Sequence, residues 1–287
     1  MFYAIAYYFK KFSLPIYFFL AYAISWPAWI ALANRSQGST VLSLVGAFGP
    51  TLAGLIMIIL TQGETGLKGL GKRLTTWKVS PVWYAVALLG GPALVRLSLA
   101  IHVGLGGDVP VLRDPAHVLT AASPWYLAVV VFLYILVFSV MGEEIGWRGY
   151  ALPRLQTGRS AVSASVLLGV IWAFWHLPLF WIPGDVHQRL PLGWFLMQVI
   201  GSSILYAWMM NRTRGSLVLV SLFHAACNTA VGLLPILPLD AGGSLRPLWI
   251  LLVLQWLVVG GIIAFSGSES QERNRPRLTS SANPAEG

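Results

Sequence analysis

Two adjacent carboxylates, Glu143 and Glu144, stand at the end of the uncharged apolar stretch PWYLAVVVFLYILVFSVMG, and Arg148 follows four residues later. An ionised side chain inside a bilayer costs several kcal/mol or more, so such groups usually face a polar cavity and have a function. Positions four apart lie on one face of a helix, which lets Glu144 and Arg148 form an ion pair. Glu143 points about 100° away from Glu144 and is therefore available to a different partner.

Two further apolar segments carry polar side chains. His176 lies in GVIWAFWHLPLF, and His224 and Asn228 lie four positions apart in SLFHAACN. Polar groups inside a membrane seek one another or a water-filled cavity. We therefore expect Glu143, His176, His224 and Asn228 to share one site. The other histidines fall at span ends or in loops, and we interpret them as solvated or interfacial: His102, His117 and His187.

The composition is that of a membrane protein, because 56% of the residues are hydrophobic, 10% are charged and the mean hydropathy is +0.71. A soluble domain would carry about 25% charged residues. Eight stretches approach the roughly 20 apolar residues that cross a bilayer. They are 14–33, 41–61, 81–103, 124–141, 161–181, 192–210, 216–236 and 247–265. We predict an all-α, polytopic integral membrane protein with about eight transmembrane helices, forming one domain over residues 1–266 and a disordered polar cytoplasmic tail over 267–287.

The fourth predicted span places Glu143 at a different depth in the membrane from the other polar residues. If it crosses from the outer surface and ends at Met141, Glu143 comes close to the inner surface, whereas His176, His224 and Asn228 lie deeper. We therefore expect this helix to be tilted or displaced.

The basic residues alternate between connecting segments, as the positive-inside rule requires. Fourteen, Arg148 and Arg154 among them, fall in segments predicted to be cytoplasmic, four in outer segments, and Arg96 lies within the third span. Both termini are therefore predicted to be cytoplasmic. This distribution accounts for the net charge of +9 without nucleic acid as a partner. The single cysteine, Cys227, excludes an intrachain disulfide.

Three motifs occur in order on separate apolar segments: Glu143-Glu144-x-x-x-Arg148, Trp172-x-x-x-His176 and His224-x-x-x-Asn228. In this the chain resembles the CPBP family, the CAAX protease and bacteriocin-processing intramembrane endopeptidases, and the resemblance places the family core at about residues 124–236. Gly46 to Gly54, GAFGPTLAG, is similar to an early segment of such proteins, although small residues also permit close helix packing. One departure is Trp172, where the family usually has Phe.

The resemblance implies hydrolysis of a peptide bond in a membrane-associated protein or peptide within the lipid bilayer. Glu143 is the expected general base, since a buried carboxylate is suited to accept a proton from water and return it to the leaving amine. His176 is expected to hold the same water. The resemblance places His224 and Asn228 at the carbonyl oxygen. Glu144, Arg148 and Trp172 are expected to support the site.

Some alternatives remain open from the sequence. Glu143, His176 and His224 also form a set able to bind zinc, so both a metalloprotease and a metal-independent glutamate protease fit. Another reading is a proton-coupled carrier with these residues as a relay, although no internal repeat is evident. A third is an immunity or chaperone-type protein that only binds. The substrate, and whether it is prenylated, does not follow from the sequence.

Overall fold

The computed structural model describes residues 9–35, 37–114, 123 and 126–273. Within this part of the chain the regular secondary structure is entirely helical. Its long helices are α1 (Ser13–Ala33), α2 (Thr40–Leu74), α3 (Pro81–Gly104), α4 (Tyr126–Gln156), α5 (Ala161–Trp175), α6 (Leu192–Arg212), α7 (Leu217–Leu233) and α8 (Arg246–Arg273).

The predicted transmembrane architecture is confirmed. Among the described residues, seven helical segments are long and apolar enough to cross a membrane, and α7 is a shorter apolar helix of 17 residues. At about 1.5 Å per residue, α7 is roughly 25 Å long, slightly less than the hydrocarbon core of a typical bilayer. The chain is thus an all-α, multi-pass integral membrane protein.

The end of the chain and one predicted loop are only partly described. Helix α8 continues to Arg273, past residue 267, where the polar tail was predicted to begin. Residues 274–287 lie outside the described part, as does His117. The division into one membrane domain and a disordered tail therefore stays a prediction.

Helix α4 differs from its prediction. The fourth span does not end at Met141, because the helix continues to Gln156, with π-helical turns at Leu136–Val140 and Trp147–Ala151. Hydropathy falls after Met141 because charged residues follow it, yet those residues are buried against one another. Glu143 therefore lies well inside the helix, and this extension brings it to the other polar groups. The expected tilt or displacement of this helix stays a prediction. Arg148 and Arg154, predicted in a loop, are helical, and Arg148 is fully buried.

The carboxylate-bearing part of α4 packs backbone to backbone against α2. A Cβ atom added to Gly142 would overlap the carbonyl oxygen of Ala47, and one added to Gly146 would overlap that of Pro50. Thr51 Oγ1 donates a hydrogen bond to the carbonyl oxygen of Met141 (2.8 Å). Small residues permit this approach of two helices inside a membrane. The GAFGPTLAG stretch is thus a packing surface that fixes the position of α4.

At the α3–α4 connection, a second buried carboxylate holds the chain. Asp240, in a 3₁₀ turn before α8, is 2% exposed. Its Oδ1 accepts hydrogen bonds from the backbone N–H groups of Arg113 (2.7 Å) and Asp114 (3.0 Å), and its Oδ2 accepts one from Leu237 (3.1 Å). Asp114 also pairs with Arg189 Nε at 3.3 Å. This cluster ties residues 111–114 to the segment before α8.

Candidate active site

The predicted polar residues of α4, α5 and α7 come together in the interior of the helix bundle. Glu143 is 4% exposed, Glu144 0%, His176 8% and His224 3%. Asn228, four residues after His224, is exposed. Of these five side chains, it is therefore Asn228 that opens the cluster to its surroundings.

Glu144 and Arg148 form the predicted ion pair. Arg148 Nη1 donates to Glu144 Oε1 at 2.7 Å, and both side chains are fully buried. The guanidinium carbon lies 4.3 Å from the ring centre of Trp172 and 5.0 Å from that of Tyr206. A planar, always charged guanidinium stacks on aromatic faces in a way that an ammonium does not. The two rings therefore hold Arg148 in place beside the Glu144 carboxylate.

Glu144 in turn orients His224. The same oxygen, Glu144 Oε1, lies 2.8 Å from His224 Nδ1. A carboxylate paired with arginine only accepts, so Nδ1 carries the proton. The other ring nitrogen, His224 Nε2, lies 3.2 Å from Asn228 Nδ2. In the neutral ring it accepts one N–H of the amide, which leaves the second N–H of Asn228 available.

Glu143 has a different environment. Its Oε2 accepts a hydrogen bond of 2.6 Å from Trp172 Nε1. His176 Nδ1 lies 2.8 Å from the carbonyl oxygen of Trp172, and since a carbonyl only accepts, this nitrogen is the protonated one. His176 Nε2 therefore presents its lone pair, 3.9 Å from Glu143 Oε2. That distance is too long for a hydrogen bond but can be bridged by one water molecule.

Trp172, at the position where the CPBP family usually has Phe, contacts three residues of the cluster. Its indole N–H binds Glu143, its backbone carbonyl fixes the tautomer of His176, and its ring packs on His224 at 5.3 Å. Phe at this position would keep the ring but lose the N–H donor. Trp172 thus contacts both the Glu143–His176 pair and His224.

The interpretation of two other histidines as solvated or interfacial is corrected by the structure. The His187 ring stacks on His176, with ring centres 5.6 Å apart and planes at 28°, and its side chain is only 15% exposed. Asp185 Oδ1 lies 2.6 Å from His187 Nδ1. His102 is 1% exposed and accepts a hydrogen bond from Arg246 Nε at 3.0 Å. Both lie in or next to loops in sequence, which carry no signal of tertiary contact.

The contacts of Asp185 with His187 favour the ionised form of the Asp185 carboxyl. Burial by itself would raise the pKa of the Asp185 carboxyl, but the hydrogen bonds and the charge of His187 outweigh it and lower that pKa below its ordinary value. Asp185 therefore stays ionised next to His187 at neutral pH, and the pair forms the outer boundary of the His176 environment.

The zinc set suggested by the sequence does not fit this arrangement. Among the described residues, no three His, Cys, Asp or Glu side chains form a group that could hold a metal ion. Both nitrogens of His224 are engaged, one by Glu144 and one by Asn228. Zinc needs a free nitrogen on each ligating histidine. Glu143 and His176 alone leave the set incomplete.

Comparison with known proteins gives two matches. Residues 124–230 match the Rce1-like family, described as type II CAAX prenyl endopeptidases. A relative from Methanococcus maripaludis, named CAAX prenyl protease 2, is 26% identical over 239 residues, which cover 79% of this chain and 86% of the relative. The matched region contains all three motifs and hence every residue of the cluster.

Proposed function

We propose that this chain, which is similar to the Rce1-like family over residues 124–230 and to a CAAX prenyl protease 2 over most of its length, is a CAAX-type protease in which Glu143 and His176 activate one water molecule for attack on a peptide bond within the membrane. The observation that carries this proposal is the 3.9 Å gap between Glu143 Oε2 and the lone pair of His176 Nε2. A water in that gap donates one hydrogen to each, which leaves a lone pair of its oxygen pointing away from both. The attacking atom is thereby oriented.

Glu143 takes the proton of this water as the oxygen attacks the scissile carbonyl. Its carboxylate has one donor among the described residues, Trp172 Nε1, so it retains lone pairs for the proton. Buried carboxylates in water-poor sites act as effective bases because nothing solvates their charge. The same proton then passes from Glu143 to the departing amine, so the reaction consumes one water and leaves the enzyme unchanged.

Charge develops on the carbonyl oxygen as the tetrahedral intermediate forms. The second N–H of Asn228 is the donor available to it, with its first N–H held by His224 Nε2. His224 Nε2 holds this amide in place, and the Glu144 carboxylate 2.8 Å from Nδ1 holds the His224 ring. Preoriented donors of this kind lower the barrier by about 3 to 4 kcal/mol. Glu144 and Arg148 act here by positioning His224.

The substrate is proposed from the printed descriptions of the matches. The family is described as prenyl endopeptidases and the relative as a prenyl protease, so we propose that this chain cleaves the C-terminal segment of a prenylated, membrane-associated protein or peptide. The exposure of Asn228 supports entry of an extended segment from one side of the cluster. We further propose one membrane domain with its catalytic core at about 124–236.

Both termini are proposed to be cytoplasmic. Arg148 is buried in the bundle, so it is removed from the count of basic residues in inner connecting segments. Thirteen basic residues then remain in inner segments against four in outer ones, and the positive-inside bias is still present. Labelling of single cysteines introduced at Lys11 and at Arg35 in intact cells tests this, because only the second should react with an impermeant maleimide.

The test of the proposed function is cleavage of a peptide library presented in nanodiscs, with prenylated and unprenylated forms of each sequence. Wild type, Glu143→Gln and the control Glu64→Gln are compared, since Glu64 is an exposed carboxylate on α2 paired with Lys68. We expect products from wild type and the control only. Cleavage by Glu143→Gln at the wild-type rate would exclude Glu143 as the base. Absence of any product together with pH-driven uptake into proteoliposomes would support a carrier instead.

A further inference from the structure

Helix α2 changes direction at Gly63. The backbone there has φ 58° and ψ −142°, a conformation that glycine adopts readily and other residues do not. At about 1.5 Å per residue, residues 40–63 extend roughly 36 Å, which exceeds the hydrocarbon core of about 30 Å. The turn therefore lies among the lipid headgroups, on the side proposed to be cytoplasmic.

The rest of α2, residues 64–74, packs on the end of α4. Leu70 is buried, and its Cδ1 would lie 3.2 Å from a Cβ atom added to Gly149. Arg73 Nη1 donates a hydrogen bond to the carbonyl oxygen of Gly149 at 3.0 Å. Gly149 belongs to the π-helical turn that follows the two carboxylates and contains Arg148. Residues 64–74 thus support the part of α4 that adjoins the candidate active site.

A second set of contacts joins the loop after α2 to the start of α7. Ser216 Oγ donates to the carbonyl oxygen of Thr76 at 2.5 Å, and Arg214 donates to that of Lys78. Residues 64–78 therefore contact both α4 and the turn from which α7 begins.

The exposed side of this segment is basic and aromatic. Lys68, Lys72 and Lys78 are exposed, and Lys68 pairs with Glu64 at 2.7 Å. Trp77 is 58% exposed, and Lys78 Nζ lies 5.4 Å from its ring centre. Tryptophan and lysine together at headgroup depth are typical of a segment that lies in a membrane interface. We refer to Lys68, Lys72, Lys78 and Trp77 as the basic surface.

Residues 64–74 are poorly suited to form a helix on their own. Gly66, Gly69 and Gly71 lie inside this short helix, and glycine is the least favourable helix residue apart from proline. Isolated helices of this length are marginal in water even without glycine. The helix therefore depends on its contacts with its surroundings, and α4 covers only one side of it.

We propose that the basic surface binds the headgroups of anionic phospholipids, and that this contact stabilises the glycine-rich helix that supports α4. Each lysine near an anionic leaflet favours association about fivefold. An acidic protein segment would meet the same charges, but the exposed Trp77 favours the boundary between headgroups and acyl chains. The effect on activity rests on the proposed function, whereas the lipid contact itself does not.

The lipid contact is tested by hydrogen–deuterium exchange of the full-length protein in nanodiscs. Phosphatidylcholine alone is compared with a mixture of phosphatidylcholine and phosphatidylglycerol. We expect the amides of residues 64–74 to exchange at least about fivefold more slowly with the anionic lipid, and Lys72→Gln/Lys78→Gln to remove most of this difference. The matched control, Lys10→Gln/Arg159→Gln, removes the same charge from exposed residues on the same side of the membrane and should behave like wild type.

Several results would overturn the proposal. Wild-type exchange that is equal in the two lipids would do so, and so would a loss of protection in the control variant, which would indicate a general effect of charge. Protection by soluble glycerophosphoglycerol or by a polyglutamate peptide in phosphatidylcholine nanodiscs would also contradict it. The partner would then be a free phosphate compound or an acidic peptide instead of a membrane surface.

The role of the helix is tested by Gly69→Ala/Gly71→Ala. A Cβ atom at either position meets no atom within 4 Å, so alanine stabilises the helix without a clash. Wild type should cleave a prenylated peptide about fivefold faster in the anionic nanodiscs. The alanine variant should cleave at nearly equal rates in both, because its helix no longer needs the lipid. An alanine variant with the full lipid dependence of wild type would show that the helix does not support α4 in this way.

The two measurements separate this inference from the proposed function. Exchange requires no hydrolysis, so slower exchange with anionic lipid supports the contact even if wild type cleaves no peptide. Cleavage by wild type without any lipid effect on exchange would refute the contact and leave the proposed function intact.

Discussion

Two buried carboxylates of this protein, Asp240 before α8 and Glu143 in α4, are almost equally hidden but have different partners. Asp240 receives three backbone N–H groups, which use both of its oxygens. Glu143 receives one indole N–H, and its histidine neighbour stays 3.9 Å away. A carboxylate enclosed by backbone donors stabilises the contact between two segments of the chain. One that keeps free lone pairs beside a histidine in a buried pocket is available to react with a third molecule.

Replacing Glu143 with Gln should produce the largest effect on activity. The amide keeps the volume but cannot accept a proton, so kcat should fall about a thousandfold, the usual contribution of a general base. The melting temperature in detergent should stay close to that of wild type. A large drop in melting temperature would mean that Glu143 is structural like Asp240, and the contrast between the two regions would fail.

Asn228→Ala should have the next largest effect. Loss of the available N–H donor should lower kcat about a hundredfold with a smaller change in KM, because the donor acts mainly on the developing oxyanion. Asn228 is exposed, so the fold should tolerate the change. Steady-state kinetics on one prenylated peptide check this, with Thr229→Ala, the next residue on α7, as the control. An increase in KM at unchanged kcat would instead indicate simple substrate binding.

Asp240→Asn should lower the stability of the fold but leave the activity of the folded protein nearly unchanged. The amide keeps one acceptor oxygen but places N–H hydrogens against a backbone donor, which should cost about 2 kcal/mol of stability. Denaturation in mixed detergent micelles measures this, with cleavage rates determined well below the unfolding transition. Cleavage by the folded fraction should be nearly normal. A thousandfold loss there would show that the Asp240 region takes part in catalysis.

Trp172→Phe should separate the aromatic wall from the N–H donor. The phenyl ring keeps contact with Arg148 and His224, whereas the hydrogen bond to Glu143 Oε2 is lost. One hydrogen bond to a charged group is worth about 1.5 to 3 kcal/mol, so kcat/KM for one prenylated peptide should change about tenfold in steady-state kinetics. An unchanged kcat/KM would mean that the indole N–H does not position Glu143 for catalysis.

Asp185→Asn should have the smallest effect, and a pH-dependent one. Because the pKa of Asp185 is lowered in the folded protein, its pairing with His187 stabilises the fold above the ordinary carboxyl pKa of about 3.8 and is lost as the pH falls through the lowered value. The variant should therefore melt slightly below wild type at pH 7, and the difference should shrink as the pH is lowered below the ordinary carboxyl pKa. A difference that grows on acidification would contradict this assignment.

The sequence predicted much of this molecule, for physical reasons that can be named. The solvation cost of charge in a bilayer singled out Glu143 and Glu144, and helical spacing correctly paired Glu144 with Arg148 and His224 with Asn228. The hydropathy pattern ended α4 too early, at Met141, because hydropathy scores each residue alone. It cannot register that the charge of Arg148 is paired with that of Glu144.

Tertiary contacts account for what the sequence missed. The fold of a loop brings His187, which is paired with Asp185, onto His176. The pairing of His224 with Glu144 depends on how α7 packs against α4. Neither contact leaves a periodic pattern in the chain. The roles of these residues stay predictions until the variants are measured.

The glycine contacts between α2 and α4 limit how this enzyme can diversify. Gly142 and Gly146 flank the two carboxylates, and neither tolerates even one methyl group without moving the opposing backbone. The carboxylates cannot be moved by repacking this contact, so substitutions that change substrate preference should accumulate elsewhere in the bundle. A mutational library that excludes the glycine contact should retain turnover in more of its members than a library confined to Gly142, Gly146 and the residues they touch.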